Sequence, residues 1–139
     1  MQISELGEFA LIDRLTKDVK LHHGSTVKGI GDDCAIVDTT QSAGRALLTS
    51  DLLLEGIHFD LVYTPMQHLG YKAAMVNISD VYAMGGTPRQ MLVSVAVDRR
   101  ITVEALDDFY AGLRLACERH HVDIVGGDTS STLTGMVIS

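Results

Sequence analysis

Cationic side chains are scarce in this sequence. Its 139 residues carry 11 Lys and Arg against 18 Asp and Glu, a formal net charge of −7. Nucleic acid needs clustered Lys and Arg to meet its phosphates, so that class of partner is set aside. Cysteine is nearly absent as well: Cys34 and Cys117 lie far apart and without CxxC spacing. That pattern speaks against a disulfide framework or a zinc site, and for reduced, semi-buried thiols in a cytosolic protein. No apolar run approaches the roughly 20 residues of a membrane span. The start, Met1-Gln2-Ile3-Ser4-Glu5, lacks the basic and long apolar regions of a secretory signal. The expected location is the cytoplasm. Several signature motifs are missing: no GxxxxGK[ST] loop, no GxGxxG behind a strand, no repeat and no low-complexity tract. A triad drawn from Ser50, His58 and an aspartate has no GxSxG elbow behind it.

What is present is an ordinary globular balance, with 46% apolar and 21% charged residues, in a length suited to one domain with a real core. An acidic protein that handles anions must bring its own cations. The acidic excess is therefore either a solvated surface or in part a metal site.

Residues 5–19 read as a first helix, with Phe9, Ile12 and Leu15 at helical spacing. Residues 21–28 are polar and loop-like, and His22 and His23 there face solvent. Gly29 to Val37 presents a glycine-flanked acidic pair entering a short strand, and residues 38–44 have turn composition. Ala46, Leu47 and Leu48 run as a strand into Thr49-Ser50-Asp51, followed by a second apolar run, Leu52 to Leu54, and by His58. From about Gln67 to Met84 comes a helix that is apolar almost all round, the mark of a buried helix, stopped by Gly85-Gly86-Thr87-Pro88. Gln90 to Val97 is the clearest strand. Thr102 opens another helix, closed by Arg119, His120 and His121. Val122 to Val125 reads as a strand running into Gly126-Gly127-Asp128-Thr129, and Leu133 to Ser139 as a strand cut short. This order predicts an α+β fold with helices over one face of a mixed or antiparallel sheet.

Asp33, Asp51, Asp80 and Asp128 recur in one style, each beside Gly, Ser or Thr at the edge of an apolar element. Converged by a fold, like charges repel by several kcal/mol unless cations intervene. Oxygen ligands without Cys or His spacing suit Mg²⁺, which bridges carboxylates to substrate phosphates. Asp33 and Asp128 equally suit turn or cap positions, and Asp51 suits a cap. Asp80 has no capping role midway along a helix, so a cation or an arginine, Arg89 or Arg99, must meet it. His58 reads as a metal ligand, a base, a substrate contact or a satisfied histidine beside Phe59. Tyr110 lies on an apolar helix stripe, where core packing is the default.

Five stretches in order, Gly7 to Ile12, Gly29 to Ala35, Thr49 to Phe59, Asn77 to Pro88 and Gly126 to Thr129, resemble the N-terminal half of the thiamine-monophosphate kinase family. That family belongs to the aminoimidazole-ribonucleotide-synthetase-like ATP-binding superfamily. The resemblance implies transfer of the ATP γ-phosphate to thiamine monophosphate, giving thiamine diphosphate. It further implies that Asp33, Thr49, Ser50, Asp51, Asp80 and Asp128 hold several Mg²⁺ ions, with Asp32 the less certain of its pair. His58 would contact thiamine monophosphate, and Tyr110, Gly127 and Asp128 would line the ATP site. The implied fold is a PurM N-terminal-like domain whose sheets pair into a β-barrel in a homodimer. Family members are about twice as long, with a glycine-rich second domain. Residues 1–139 are therefore expected to be the single N-terminal domain and to have little kinase activity alone. Another enzyme of the same superfamily and a non-catalytic dimerising module are the competing readings.

Overall fold

A computed structural model describes residues 22–39 and 44–139, together with Ala10, Asp18 and Lys20. The helix expected over 5–19 lies outside the described residues, as does most of the turn expected over 38–44. The chain divides into two compact units, Met1–Leu48 and Thr49–Ser139.

The first unit holds a three-stranded antiparallel sheet of β1 (Thr26–Lys28), β2 (Ala35–Thr39) and β3 (Gly44–Leu48), in the order β1-β2-β3. The bend between β1 and β2 carries Gly31 at φ 123°, a backbone region that suits glycine. Beside it, Asp32 forms an ion pair with Lys28 and accepts from the Asp33 amide at 3.0 Å. The lysine holds the Asp32 carboxyl below the ordinary range.

The second unit is a mixed four-stranded sheet packed against two helices. Its strands are β4 (Leu53–Leu54), β5 (Gln90–Val97), β6 (Asp123–Ser131) and β7 (Val137–Ile138), ordered β4-β7-β5-β6. Pairing is antiparallel between β4 and β7 and between β5 and β7, and parallel between β5 and β6. A parallel pair needs a crossover, here α2 (Val103–His120). The other helix is α1 (Met66–Ala83). Leu53, Val93, Val95 and Ile138 of the sheet share one core with Leu69, Ala74 and Ile78 of α1 and Phe109, Leu113 and Ala116 of α2. The α+β class and the mixed sheet follow the expectation, while the sheet is open at its edges.

Local chemistry explains the elements. Thr102 caps α2 by accepting from the Ala105 amide at 3.2 Å, and His121 ends it in the left-handed region at φ 55°. Two glycines let the helices touch. A Cβ on Gly70 would stand 1.8 Å from the Phe109 carbonyl oxygen, and one on Gly112 would stand 1.7 Å from that of Gln67. Against expectation, α1 is not buried all round. Gln67, His68, Lys72, Ser79 and Tyr82 are exposed, because one face meets the core while the other carries scattered polar residues among its apolar ones. β6 is also longer than expected: Gly126 and Gly127 lie inside it, beyond a bulge where Met91 pairs Ile124 and Leu92 pairs Gly126.

An ion-pair network ties the loop before β7 to the rest of this unit. Asp98 is buried, accepts from the Arg100 amide at 2.9 Å and from the Gly135 amide at 2.8 Å, and grips the Arg100 guanidinium. The guanidinium reaches on to Glu55 at 2.9 and 3.1 Å, and Glu55 accepts from the Met136 amide at 2.8 Å. These donors hold the Asp98 carboxyl far below its ordinary value, the arginine foremost.

Two outcomes are expected. Alanine at a helical glycine normally gains about 1 kcal/mol, but a backbone clash of this kind costs more. Gly112→Ala should therefore lower the unfolding free energy by about 2 kcal/mol in urea denaturation; unchanged stability contradicts the close approach. A depressed carboxyl contributes stability above its unfolded value, about 4, and loses it as pH falls towards the folded one. Asp98→Asn should thus lower the melting temperature at pH 7, with the gap to wild type closing below about pH 4.

Candidate functional site

β3 ends at Leu48, and Thr49, Ser50 and Asp51 follow on extended chain before β4. This brings the segment alongside the C-terminal half of α1. The Thr49 hydroxyl donates to Asp80 Oδ2 at 3.1 Å. The Asp51 amide donates to Asn77 Oδ1 at 3.0 Å, and Asn77 in turn donates to the Ala73 carbonyl at 3.2 Å. Asn77 and Asp80, three residues apart on one helix face, thus receive adjacent residues of the 49–51 segment. Ser50 lies 3.3 Å, hydroxyl to hydroxyl, from Ser139.

Thr49, Asp51 and Asp80 are half-buried. Burial pushes the Asp51 carboxyl up, the neighbouring Asp80 adds to that rise, and His58 opposes it when its ring is charged. Neither arginine considered for Asp80 meets it: the ion pairs formed by arginine among the described residues are those of Arg100 with Glu55 and Asp98. Asp80 is therefore met by a neutral hydroxyl, and two half-buried carboxylates stand close with no cationic partner between them.

His58 sits in a tight turn between β4 and Phe59. Its amide donates to the Leu54 carbonyl at 2.9 Å, and the Gly56 amide, at φ 82°, donates to the Phe59 carbonyl at 2.7 Å. Phe59 is buried and His58 exposed. Across the sheet, Ser94 of β5 exchanges backbone bonds with Ser139 at 2.6 and 2.9 Å and pairs in register with Asp128 of β6. Asp128 is exposed and accepts from the Thr129 amide at 2.8 Å. Gly127, at φ 151°, lies so close to β5 that a Cβ would stand 1.8 Å from the Val93 carbonyl oxygen. Close packing thus accounts for that glycine by itself. Tyr110 is half-buried against the core and meets Phe109 edge-on at 5.5 Å, as its place on the stripe implied. Asp33 belongs to the first unit, where it is exposed in the bend before β2.

The second unit therefore brings Thr49, Asp51 and Asp80 together, with His58 acting on Asp51 and Ser50 against Ser139. Among the described residues, no three His, Cys, Asp or Glu side chains converge into a metal cage. Two carboxylates with hydroxyls nearby still fit Mg²⁺, which keeps waters and takes one or two carboxylates plus substrate phosphates. A groove of about 330 Å³ runs between α1 and α2 beside Gln67, Tyr71 and Arg119, and Thr49, Asp51, Asp80 and His58 do not line it. The reading of the sequence missed the roles of Asn77, Ser94 and Ser139. A serine inside the β-branched run of β5 and an asparagine one turn before Asp80 were the available signals.

An open mixed sheet with a β-α-β crossover, two close-packed helices and acidic residues at a strand mouth define an α+β domain. The family described as AIR synthase related protein, N-terminal domain, matches residues 31–139, and the chain belongs to it. The thiamine-monophosphate kinase of Bacillus subtilis is 39% identical over 134 residues, covering 96% of this chain and 41% of that protein. That of Aquifex aeolicus is 40% identical over 132 residues, covering 95% and 40%. The structure of AaThiL complexed with AMPPCP and TMP superposes with a TM-score of 0.85 at 38% identity, over 99% of this chain and 41% of the other. The chain spans about two fifths of the length of these relatives.

A raised carboxyl favours the folded state most below its unfolded value, about 4, and costs stability as pH rises through that range. Asp51→Asn should raise the melting temperature of the metal-free protein at pH 7 and leave it nearly unchanged at pH 3. A fall at pH 7 contradicts the electrostatics of the site.

Proposed function

We propose that this chain is the ATP- and Mg²⁺-binding N-terminal domain of a cytoplasmic thiamine-monophosphate kinase, which passes the ATP γ-phosphate to thiamine monophosphate and releases thiamine diphosphate. The observation that carries the reading is the Thr49, Asp51 and Asp80 cluster, in which Asp80 accepts from a neutral hydroxyl and Asp51 is held through its backbone amide. The relatives near 40% identity across almost the whole chain give the cluster its chemistry.

In this reading Asp33, Thr49, Ser50, Asp51, Asp80 and Asp128 hold the cations. Asp33 is preferred to Asp32, whose carboxylate is engaged by Lys28. When bound, Mg²⁺ neutralises the charge of the phosphates and of the carboxylates together. The chain's own part is placement. Asn77 fixes the Asp51 backbone and Thr49 orients the Asp80 carboxylate, so neither has to reorganise when charge arrives. His58 contacts thiamine monophosphate, while Tyr110, Gly127 and Asp128 line the ATP site. Phosphoryl transfer needs in-line positioning and charge neutralisation more than a base, which accords with a site poor in basic side chains. A homodimer belongs to the same reading: the sheet is open, and β6 exposes all nine of its residues at an edge, a surface that asks for cover.

Thermal-shift titration tests this. A ligand at ten times its dissociation constant stabilises the folded state by about 1.4 kcal/mol. Mg-ATP should raise the melting temperature of the chain accordingly, and Asp80→Asn should abolish the rise. Indifference of the wild-type chain to Mg-ATP would favour a non-catalytic dimerising module. Residues 1–139 alone should form no thiamine diphosphate from Mg-ATP and thiamine monophosphate.

A further inference from the structure

The turn that carries His58 fixes more than the position of the ring. The Leu54 amide donates to His58 Nδ1 at 3.0 Å. An N–H can donate only to an unprotonated ring nitrogen, so Nδ1 bears no hydrogen, and the neutral ring carries its hydrogen on Nε2. Among the described residues no group accepts from Nε2, and the residue is exposed. The backbone of the same residue is clamped on both sides. Its amide bonds to the Leu54 carbonyl, and its carbonyl accepts from Lys72 Nζ of α1 at 2.5 Å. Phe59 anchors the far end in the core, and the Arg100 to Glu55 pair holds the near end.

We propose that His58 meets its ligand as a preset hydrogen-bond donor through Nε2–H, with Lys72 as the positioning residue that holds it there. The metal-ligand and base readings of His58 both fail in this tautomer. Nδ1 is spent on Leu54, and Nε2 has no lone pair to offer a cation or a proton. The ligand must present an acceptor atom, a phosphate oxygen or a ring nitrogen. Naming that ligand as thiamine monophosphate rests on the kinase reading above, whereas the tautomer does not. Lys72 gives one of its three ammonium hydrogens to the turn, and through that bond it acts on the backbone of His58.

Long-range proton–nitrogen spectra of the chain labelled with nitrogen-15 in histidine read the tautomer directly. With the His58 resonances identified by their loss in His58→Gln, the ring should show Nε2 protonated and Nδ1 bare at neutral pH. An Nδ1–H tautomer or a doubly protonated ring overturns the proposal. Lys72→Met should blur that pattern towards an average of tautomers, and Lys72→Arg should restore it. Inorganic phosphate shifting the Nε2 resonance identifies a phosphate oxygen as the acceptor, and thiamine shifting it identifies a ring nitrogen. A ring silent to phosphate, thiamine and thiamine monophosphate alike overturns the donor role.

In an enzyme of the relatives' full length carrying this segment, Lys72→Met should raise KM for thiamine monophosphate roughly three- to tenfold, with kcat and KM for ATP unchanged. His58→Gln, whose amide nitrogen reaches near the Nε2 position, should retain more affinity than His58→Asn, whose amide reaches only near Nδ1. The reverse order, or an equal rise in both KM values, overturns the assignment. If the wild-type enzyme does not turn over thiamine monophosphate, the kinase reading fails and the spectra still decide the donor.

Discussion

Two like charges that the fold brings together without neutralising them are the constraint on which the second unit turns. Asp51 and Asp80 are half-buried, and the Asp51 carboxyl is pushed up, by burial first and by the neighbouring Asp80 after it. Folding supplies only neutral contacts here, the Thr49 hydroxyl on Asp80 and the Asn77 amide side chain on the Asp51 backbone. Such contacts fix geometry without cancelling charge. Arg100, which forms the arginine ion pairs among the described residues, is committed to Asp98 and Glu55. Among the described residues no ion pair neutralises these two carboxylates, and this supports the proposed cation site.

The committed arginine has its own part in the arrangement. Asp98 lies just beyond β5 and Glu55 at the start of the turn that carries His58, and the amides of Gly135 and Met136 complete the network. Three separate stretches of chain are thereby fixed to one guanidinium. Substituting lysine for Arg100 would keep the charge and lose the fork that reaches both carboxylates. The histidine turn is thus held at three places: by this network, by Phe59 in the core, and by Lys72 on α1.

Much of the fold was legible in the sequence because its signals were local. The bounds of β5 follow from an uninterrupted β-branched run, and those of α2 from Thr102 at one end and His121 at the other. Where the reading went astray, the missing information was nonlocal. The apolar count of α1 suggested a buried helix, but which of its apolar residues find a partner depends on a single covered face. Gly126 and Gly127 have loop composition, yet both belong to a strand, since glycine lets β6 approach Val93 where any Cβ would collide. The site divided the same way. Asp51 and Asp80 were visible as carboxylates out of place, whereas Ser139 and Lys72 carry no sequence signal and matter only through the elements that bring them near Ser50 and His58.

β6 buries none of its nine residues. It adds almost nothing to the core, and its order rests on the ladder of backbone bonds with β5, which a glycine pair and a bulge interrupt at one end. A strand held in this way opens at low cost. Its amides should exchange with solvent sooner than those of β5, although the two strands are neighbours over their whole length. Asp128 therefore rides on the part of the sheet whose conformation is most open to being set by what docks against it. In the proposed kinase reading, α1 carries the rigid half of the site and this strand the adaptable half.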